Sequence, residues 1–352
     1  MIHQTAVADP ALPERIASGS ADFDAGILRP PASPQRFTIA HISDPHLSRL
    51  YYREHISSLK LLLRHILDAG CDHLVISGDI VSTADPDDLY LAREIFSKLG
   101  FLRSDRLTVV PGNHDIFGGP HRAVDILSFP RHIRTVDYHS HLRLFHEAFA
   151  ETFGGVARLD DDNLYPFVKT LGPFSLLGLN SIPPWSPWKN PLGTNGSLAD
   201  SQVSSLLRYA QTSTPQNRIP IAILHHHFNN LNDESTDSSL WRRVESNTMR
   251  MRGRKRLLKL LRSLGVRYVL HGHIHRNEIY ERDGIFLANG AGAVCDDPVR
   301  FLKYNLIRFE NGMTSLTTQH LPIPYQVSSL LRSFHKFRSV KNQHALALQA
   351  AA

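Results

Sequence analysis

Cysteine and long apolar runs are the two clearest absences from this chain of 352 residues. Only Cys71 and Cys295 are present, which is too few for a disulfide framework or for a metal site built from thiolates. Any bound metal must therefore be held by nitrogen and oxygen, and we expect a reducing compartment. No apolar run reaches the roughly eighteen residues of a spanning helix, and the segment from Met1 to Gln4 lacks the features of a secretory signal. We therefore expect a cytoplasmic location.

The composition is that of an ordinary globular protein, with 42% apolar and 20% charged residues. The net charge of +6 favours an anionic partner, which could be a phosphoester, nucleic acid or anionic lipid. Histidine is unusually frequent, with 21 copies. Several histidines lie away from the motifs described below, and we interpret them as parts of solvated helix faces: His121, His132, His139, His141 and His146.

Short apolar runs bounded by turn residues recur along the chain and predict buried strands. They cover residues 37–42, 74–77, 107–110, 174–179, 219–224, 268–270 and 285–288. Helical patterns at 55–69, 86–99 and 254–264 alternate with them. A closing hairpin is predicted at 304–319, around an Asn-Gly turn. This alternation of strands and helices predicts an α/β fold with layered sheets.

Three regions stand apart from this alternation. Residues 1–35 are rich in proline and without periodicity, which predicts a flexible N-terminal arm. Residues 117–160 and 183–197 are predicted to be cap insertions within a domain that covers 36–322. Trp185 and Trp188, in the second insertion, could line a substrate cleft or pack on the core. Residues 323–352 are predicted to form a basic C-terminal helix and tail.

Five polar motifs each follow directly after an apolar run. They are Asp44-Pro45-His46, Gly78-Asp79, Gly112-Asn113-His114-Asp115, His225-His226-His227 and His271-Gly272-His273-Ile274-His275. Loops at the carboxyl ends of strands in an α/β sheet converge on one crevice, so these motifs are expected to meet. The i, i+2 spacing of the first and last motifs places two ligands on one side of an extended segment. Imidazole and carboxylate ligands suit Mn, Fe, Zn or Co better than Mg or Ca.

The ordered set of five motifs resembles the calcineurin-like metallophosphoesterases, over roughly residues 36 to 320. The resemblance implies a four-layer sandwich of two mixed β-sheets flanked by helices. It also implies two metal ions. One would be held by Asp44, His46, Asp79 and His275, and the second by Asp79, Asn113, His225 and His273.

The resemblance also implies the reaction, which is hydrolysis of a phosphoester by in-line attack of a hydroxide that bridges the two ions. His114 would then stabilise the transition state or protonate the leaving oxygen. The alternative is that His114 only orients its neighbours by a hydrogen bond. In similar proteins the first histidine of the triple is the ligand, which selects His225 and leaves His226 or His227 to contact substrate.

The motifs also bear on the substrate. Asp79 is followed by Ile80-Val81-Ser82-Thr83, which departs from the pattern of the protein Ser/Thr phosphatases. The histidine triple and the segment Gly196-Ser197-Leu198 are most similar to the bacterial cyclic-nucleotide phosphodiesterase type. A charge count agrees with this, because a neutral Asn113 would leave two divalent ions with a net positive charge for a phosphodiester anion.

Three other functions stay open at this stage. A pyrophosphatase of the UDP-diacylglucosamine type would act at an anionic membrane surface through the basic clusters. A nuclease would use the same clusters with Trp185 and Trp188, and it is disfavoured because the tryptophans and the clusters are far apart in sequence. A scaffold without catalysis would usually lack some ligands. The clusters are Arg250, Arg252, Arg254, Lys255, Arg256, Lys259, Arg262, and Arg332, Lys336, Arg338, Lys341.

Overall fold

The computed structural model describes residues 35–121, 123–212, 218–228, 249, 251–294 and 301–323. The strands within this part of the chain are β1 (Arg36–Ile42), β2 (His73–Ile76), β3 (Leu107–Val109), β4 (Ala157–Arg158), β5 (Phe167–Leu171), β6 (Phe174–Gly178), β7 (Ile219–Ile223), β8 (Tyr268–His271), β9 (Glu278–Arg282), β10 (Ile285–Asn289), β11 (Phe301–Glu310) and β12 (Met313–Pro322). The α-helices are α1 (Arg53–Asp68), α2 (Pro86–Lys98), α3 (Asn113–Phe117), α4 (Ala123–Thr135), α5 (Tyr138–Ala148), α6 (Asp200–Thr212) and α7 (Arg254–Ser263).

These strands form two mixed sheets. The first has the order β12-β11-β1-β2-β3, in which β1, β2 and β3 are parallel and β11 and β12 are antiparallel. The second has the order β4-β5-β6-β7-β8-β10-β9, with a parallel centre from β6 to β10 and antiparallel edges. Helices α1, α2, α6 and α7 lie in the chain between successive parallel strands, as is usual for crossover connections, whereas the parallel strands β8 and β10 are joined through β9.

Alternate residues of the central strands face two different cores. Ile39 of β1 and Val75 of β2 lie in a buried cluster with Leu176 of β6 and Ile221 of β7, between the two sheets. Their neighbours Ala40 and Leu74 pack instead against α1 and α2, and Leu177 and Ala222 pack against α6 and α7. The order of layers is therefore helices, sheet, sheet, helices. The predicted four-layer sandwich is confirmed.

The local signals read from the sequence agree with the elements. Asp85 caps α2 by accepting a hydrogen bond of 2.8 Å from the backbone N–H of Asp87, and Pro86 occupies the first helical position. The seven predicted strands and the hairpin around Asn311 are present. Strands β4, β5 and β9 and helices α3, α4 and α5 were not predicted. No helix in the described ranges is both long and apolar enough to cross a membrane.

Several predicted features fall on residues that the structure does not describe. The N-terminal arm lies outside the described residues, except for Gln35, and so does the C-terminal basic segment, except for Ile323. Arg250 and Cys295 also lie outside them. Cys71 is a buried free thiol.

Candidate metal centre

The five motifs meet where strands of both sheets end. Asp44 and His46 follow β1, Asp79 follows β2, and Asn113 begins α3 just beyond β3. From the second sheet, His225 follows β7, and His273 and His275 follow β8. All of these side chains are buried except that of His275, which is 49% exposed.

Three of the predicted ligands of the first ion surround one point. Nε2 of His46 lies 3.0 Å from Nε2 of His275 and 3.8 Å from Oδ1 of Asp44. Nε2 of His275 lies 3.6 Å from the same oxygen of Asp44. Nε2 of His46 is also 3.8 Å from Oδ2 of Asp79, which brings the fourth residue to this group.

The predicted ligands of the second ion surround Nε2 of His225. This atom lies 3.3 Å from Oδ2 of Asp79, 3.1 Å from Oδ1 of Asn113 and 3.1 Å from Nδ1 of His273. The same oxygen of Asp79 therefore approaches both groups. Asp79, His225 and His273 form one of the three residue triads whose ligand atoms lie within 4.8 Å of each other, the others being Asp44, His46 and His275, and His46, Asp79 and His114.

The backbone that carries these side chains is in an unusual conformation. Asp44, His46, Asp79 and His273 have φ values of 55°, 45°, 51° and 77°, in the left-handed region that residues with a side chain rarely adopt. Such strain is commonly held at functional sites by the surrounding fold. The backbone of Gly112 packs closely against Asp79 and helps to hold its conformation. A Cβ atom at Gly112 would lie only 2.1 Å from Oδ1 of Asp79.

Burial and the neighbouring charges together set the charges of the cluster. Burial lowers the pKa of His46 and of His273 well below the usual value, which keeps these imidazoles neutral, the form that binds metal. Burial opposes ionisation of Asp79 too, but His225, His114 and His46 outweigh it and hold the pKa of this carboxyl well below its usual range. For His225, burial is outweighed by Asp79, and the pKa is raised to about 9.

His114 lies beside both groups. Its backbone N–H donates to Oδ1 of Asp79 at 2.8 Å, and its ring stands edge-on to that of His46 with centroids 4.6 Å apart. Nδ1 of His114 is 3.1 Å from the carbonyl of Ser82. Because a carbonyl only accepts, the proton resides on Nδ1, and Nε2 is left for another partner.

The three consecutive histidines have different neighbours. His225 alone approaches Asp79 and Asn113. Nδ1 of His226 is 2.8 Å from Oγ of Ser181, and Nε2 of His227 is 2.9 Å from Oε1 of Glu278. His226 and His227 are both buried, so neither presents an open surface to a substrate in this conformation.

Sequence reasoning missed the residues that hold the cluster in place. The carbonyl of Ser77 accepts a 2.9 Å hydrogen bond from Nδ1 of His225, which directs Nε2 towards Asp79. Oγ of Ser181 accepts from the backbone N–H groups of His225 and His226, at 3.2 and 3.3 Å. The carboxylate of Asp115 accepts hydrogen bonds from the backbone N–H groups of Gly112 and Val81. A serine carries no signal of such a role in a single sequence.

Residues of both predicted insertions contact the cluster or its neighbours. The backbone of Gly119 lies against the ring of His114, and that of Gly196 lies against the ring of His226. Trp185 packs in a buried cluster with Ile116 and Phe117. Trp188 is 87% exposed. Trp185 therefore packs on the core and Trp188 does not, and a place for Trp188 in a substrate cleft stays a prediction.

Two sequence interpretations change once the structure is known. Trp188 and Arg252 are far apart in sequence but close in space, because Nη2 of Arg252 lies 3.5 Å from the carbonyl of Trp188, so their separation in sequence does not count against a nuclease. The histidines outside the motifs are not all on solvated faces either. His132 and His139 are exposed, but His141 and His146 are half-buried, and Nδ1 of His141 donates to the carbonyl of Ile116 at 2.7 Å. Amphipathic helices bury one face, and these two side chains lie towards it.

We compared the chain with curated proteins and with solved structures. No curated protein matches the sequence significantly. The chain is similar to the solved structure of a dimetal phosphatase from Danio rerio, at 15% identity and a TM-score of 0.52, over 82% of this chain and 99% of that one. It is also similar to a purple acid phosphatase from yellow lupin, at 11% identity and a TM-score of 0.49, over 85% of this chain and 56% of that one.

At such identities, structural similarity bears on the fold alone. The sequence profile of the calcineurin-like phosphoesterases, in contrast, matches residues 37–277. That range is well over half of the chain, and it includes the loops after β1, β2, β3, β7 and β8 that carry the clustered side chains. The chain therefore belongs to the calcineurin-like phosphoesterase family.

Proposed function

We propose that this protein is a metal-dependent phosphoester hydrolase that cleaves phosphodiesters, of the cyclic-nucleotide phosphodiesterase type. Two ions would be held by the two groups of side chains described above. The observation that carries the proposal is the position of Asp79, whose Oδ2 lies 3.8 Å from Nε2 of His46 and 3.3 Å from Nε2 of His225. One carboxylate oxygen directed at both groups is what a shared ligand of two ions requires.

The donor atoms fit the proposed ions. Four neutral or neutralisable imidazoles, two carboxylates and one amide oxygen converge, and imidazole with carboxylate suits Mn, Fe, Zn or Co. Two such ions, when bound, would activate water as a nucleophile and neutralise charge on the phosphoryl oxygens. Asp44 and Asp79 supply only two negative charges, and Asn113 supplies none. The site would therefore keep a positive charge for a phosphodiester, which is a monoanion.

His114 would act on the leaving group. Its Nδ1 proton is engaged by the carbonyl of Ser82, so Nε2 is the atom available to exchange a proton with the departing oxygen. The hydrogen bond from its backbone N–H holds His114 against Asp79, the proposed shared ligand. His114 is half-buried, which leaves room for a substrate oxygen to approach the ring.

The test is hydrolysis of bis(p-nitrophenyl) phosphate and p-nitrophenyl phosphate by protein stripped with a chelator and then supplied with Mn, Fe, Zn, Co or Mg. We expect activity to return with a transition metal and to be higher on the diester. A chain that binds two ions but hydrolyses neither compound nor cyclic AMP would contradict the proposal and favour a scaffold function.

A further inference from the structure

We infer that the substrate is a dinucleotide, a phosphodiester that carries a second phosphate and a nucleobase, and that a surface formed by Trp188 and Met251–Arg256 binds those two groups. We call this surface the basic rim. The inference rests on the proposed function, because it names the substrate of the same site.

The basic rim joins two segments that are distant in sequence. The backbone N–H of Arg252 donates to the carbonyl of Gly196 at 2.7 Å, and Gly196 also forms a β-bridge with Met251. Nη2 of Arg252 reaches the carbonyl of Trp188 at 3.5 Å. The exposed indole and the start of the basic helix α7 are therefore held side by side.

The basic rim adjoins the candidate metal centre through Gly196 and His226. A Cβ atom on Gly196 would lie 2.3 Å from Cγ of His226, so only glycine allows this approach. The ring of His226 is in turn 4.6 Å from that of His273, measured between centroids. Arg252 is thus separated from a proposed metal ligand by two packed residues. A substrate that occupies both sites must span these two residues.

The charge of the basic rim suits a second phosphate. A depression of about 450 Å³ is lined by Met251, Arg252, Gly253, Arg254, Lys255 and Arg256, so its described lining carries four positive charges. The first turn of α7 contains no acidic residue. The amino terminus of a helix attracts anions, and arginine can bind a phosphate through two parallel hydrogen bonds.

Trp188 supplies a flat apolar surface beside this charge. Its 87% exposure makes it the most exposed of the large apolar side chains in the described part of the chain. Every nucleobase can stack on an indole, and such stacking contributes about 1–3 kcal/mol per base. A ligand that uses both features must combine a planar ring with an anion. A nucleotide does so, and a dinucleotide supplies the second phosphate that a mononucleotide lacks.

The experiment compares cyclic diadenylate, which has a second phosphate, with cyclic AMP, which has none. Bis(p-nitrophenyl) phosphate serves as the reference without a base. For Arg252→Gln we expect the ratio of kcat/KM on cyclic diadenylate to kcat/KM on cyclic AMP to fall by about tenfold or more, through KM, as for loss of a charge-assisted hydrogen bond. Arg252→Lys should lose less, because it keeps the charge but not the paired geometry.

Two matched variants control for general effects. Arg262→Gln removes an exposed charge from the other end of α7 and should leave the ratio as in the unchanged protein. Trp188→Ala should raise KM about tenfold for both nucleotides, whereas Met313→Ala, which removes a side chain that is 74% exposed elsewhere, should not.

The outcomes separate this inference from the proposed function. If the unchanged protein hydrolyses none of the three compounds with any metal, the proposed function itself fails. If it hydrolyses them and Arg252→Gln leaves the ratio unchanged, only the dinucleotide inference fails. Binding to vesicles of phosphatidylglycerol and phosphatidylcholine that is lost in Trp188→Ala, with unchanged nucleotide kinetics, would overturn it in favour of a lipid surface. Binding of oligothymidylate with the same pattern would overturn it in favour of nucleic acid.

Discussion

Oδ2 of Asp79 and Nε2 of His225 lie 3.3 Å apart although they follow strands of two different sheets. The carbonyl of Ser77, at the end of β2, accepts the hydrogen bond that fixes the other side of the His225 ring. The loop that carries Asp79 therefore also orients His225. The candidate metal centre depends on this contact between the sheets, because each sheet contributes only part of both ligand groups.

Replacing His114 tests its proposed role at the leaving group. His114→Gln should retain the metals, because the backbone N–H that donates to Asp79 is unchanged. The rate should fall by about 10²–10⁴-fold, and more for poor leaving groups. Steady-state kinetics with alkyl and nitrophenyl diesters would measure this, with the exposed His139→Gln as control. An unchanged rate would assign His114 a structural role only.

Replacing Asn113 tests the charge argument. Asn113→Asp adds a negative charge 3.1 Å from Nε2 of His225 and should still bind metal. Because it would reduce the positive charge offered to substrate, kcat/KM on the diester should fall by about 10- to 100-fold. For the dianionic monoester, kcat/KM should fall by a larger factor. Equal losses on both esters would show that the charge of the site does not select between them.

The pH dependence of stability tests the buried histidines away from the site. Burial, assisted by the nearby charge of Lys169, lowers the pKa of His73 to about 3 from its usual 6.5. Its ring nitrogens are already engaged by the carbonyl of Asp105 at 2.9 Å and by Thr108 at 2.8 Å. Arg106 disfavours the charged ring as well, and Asp105 favours it. The unfolded chain therefore binds more protons than the folded one between about pH 3 and 6.5.

It follows that the stability contributed by neutral His73 is present above pH 6.5 and is lost as the pH falls towards 3. At pH 5 the loss should be at most about 2 kcal/mol relative to pH 7. His73→Gln, which does not titrate, should lose less stability than the unchanged protein over this interval. Urea unfolding at the two pH values, with chelator present, would measure the difference. Parallel pH dependences would contradict the assignment.

Much of the fold and the cluster could be predicted, for identifiable reasons. A strand such as β7 forms an uninterrupted apolar run, and its polar motif follows at once. Strand β5 was not predicted because Lys169 interrupts its apolar sequence. This lysine is buried and donates to the carbonyls of Ser104 and Leu107 at 3.0 Å. The periodicity of the sequence does not indicate that a lysine has hydrogen-bond acceptors so distant in the chain.

The parts that depend on tertiary packing could not be predicted. The resemblance selects His225 as the ligand, but the different neighbours of His225 and His226 are visible only in the structure. The proximity of Trp188 to Arg252 depends on the contact between Gly196 and Met251. Residues that hold ligands through backbone groups leave no pattern of side chains to detect.

The most direct test of two ions sharing one carboxylate is the metal content of Asp79→Ala. Elemental analysis of the reconstituted protein should find two ions per chain in the unchanged protein and in Asp161→Ala, an exposed control. Asp79→Ala should lose both ions while its circular dichroism stays native, because the oxygen nearest both groups is gone. Retention of two ions by Asp79→Ala would contradict the binuclear centre.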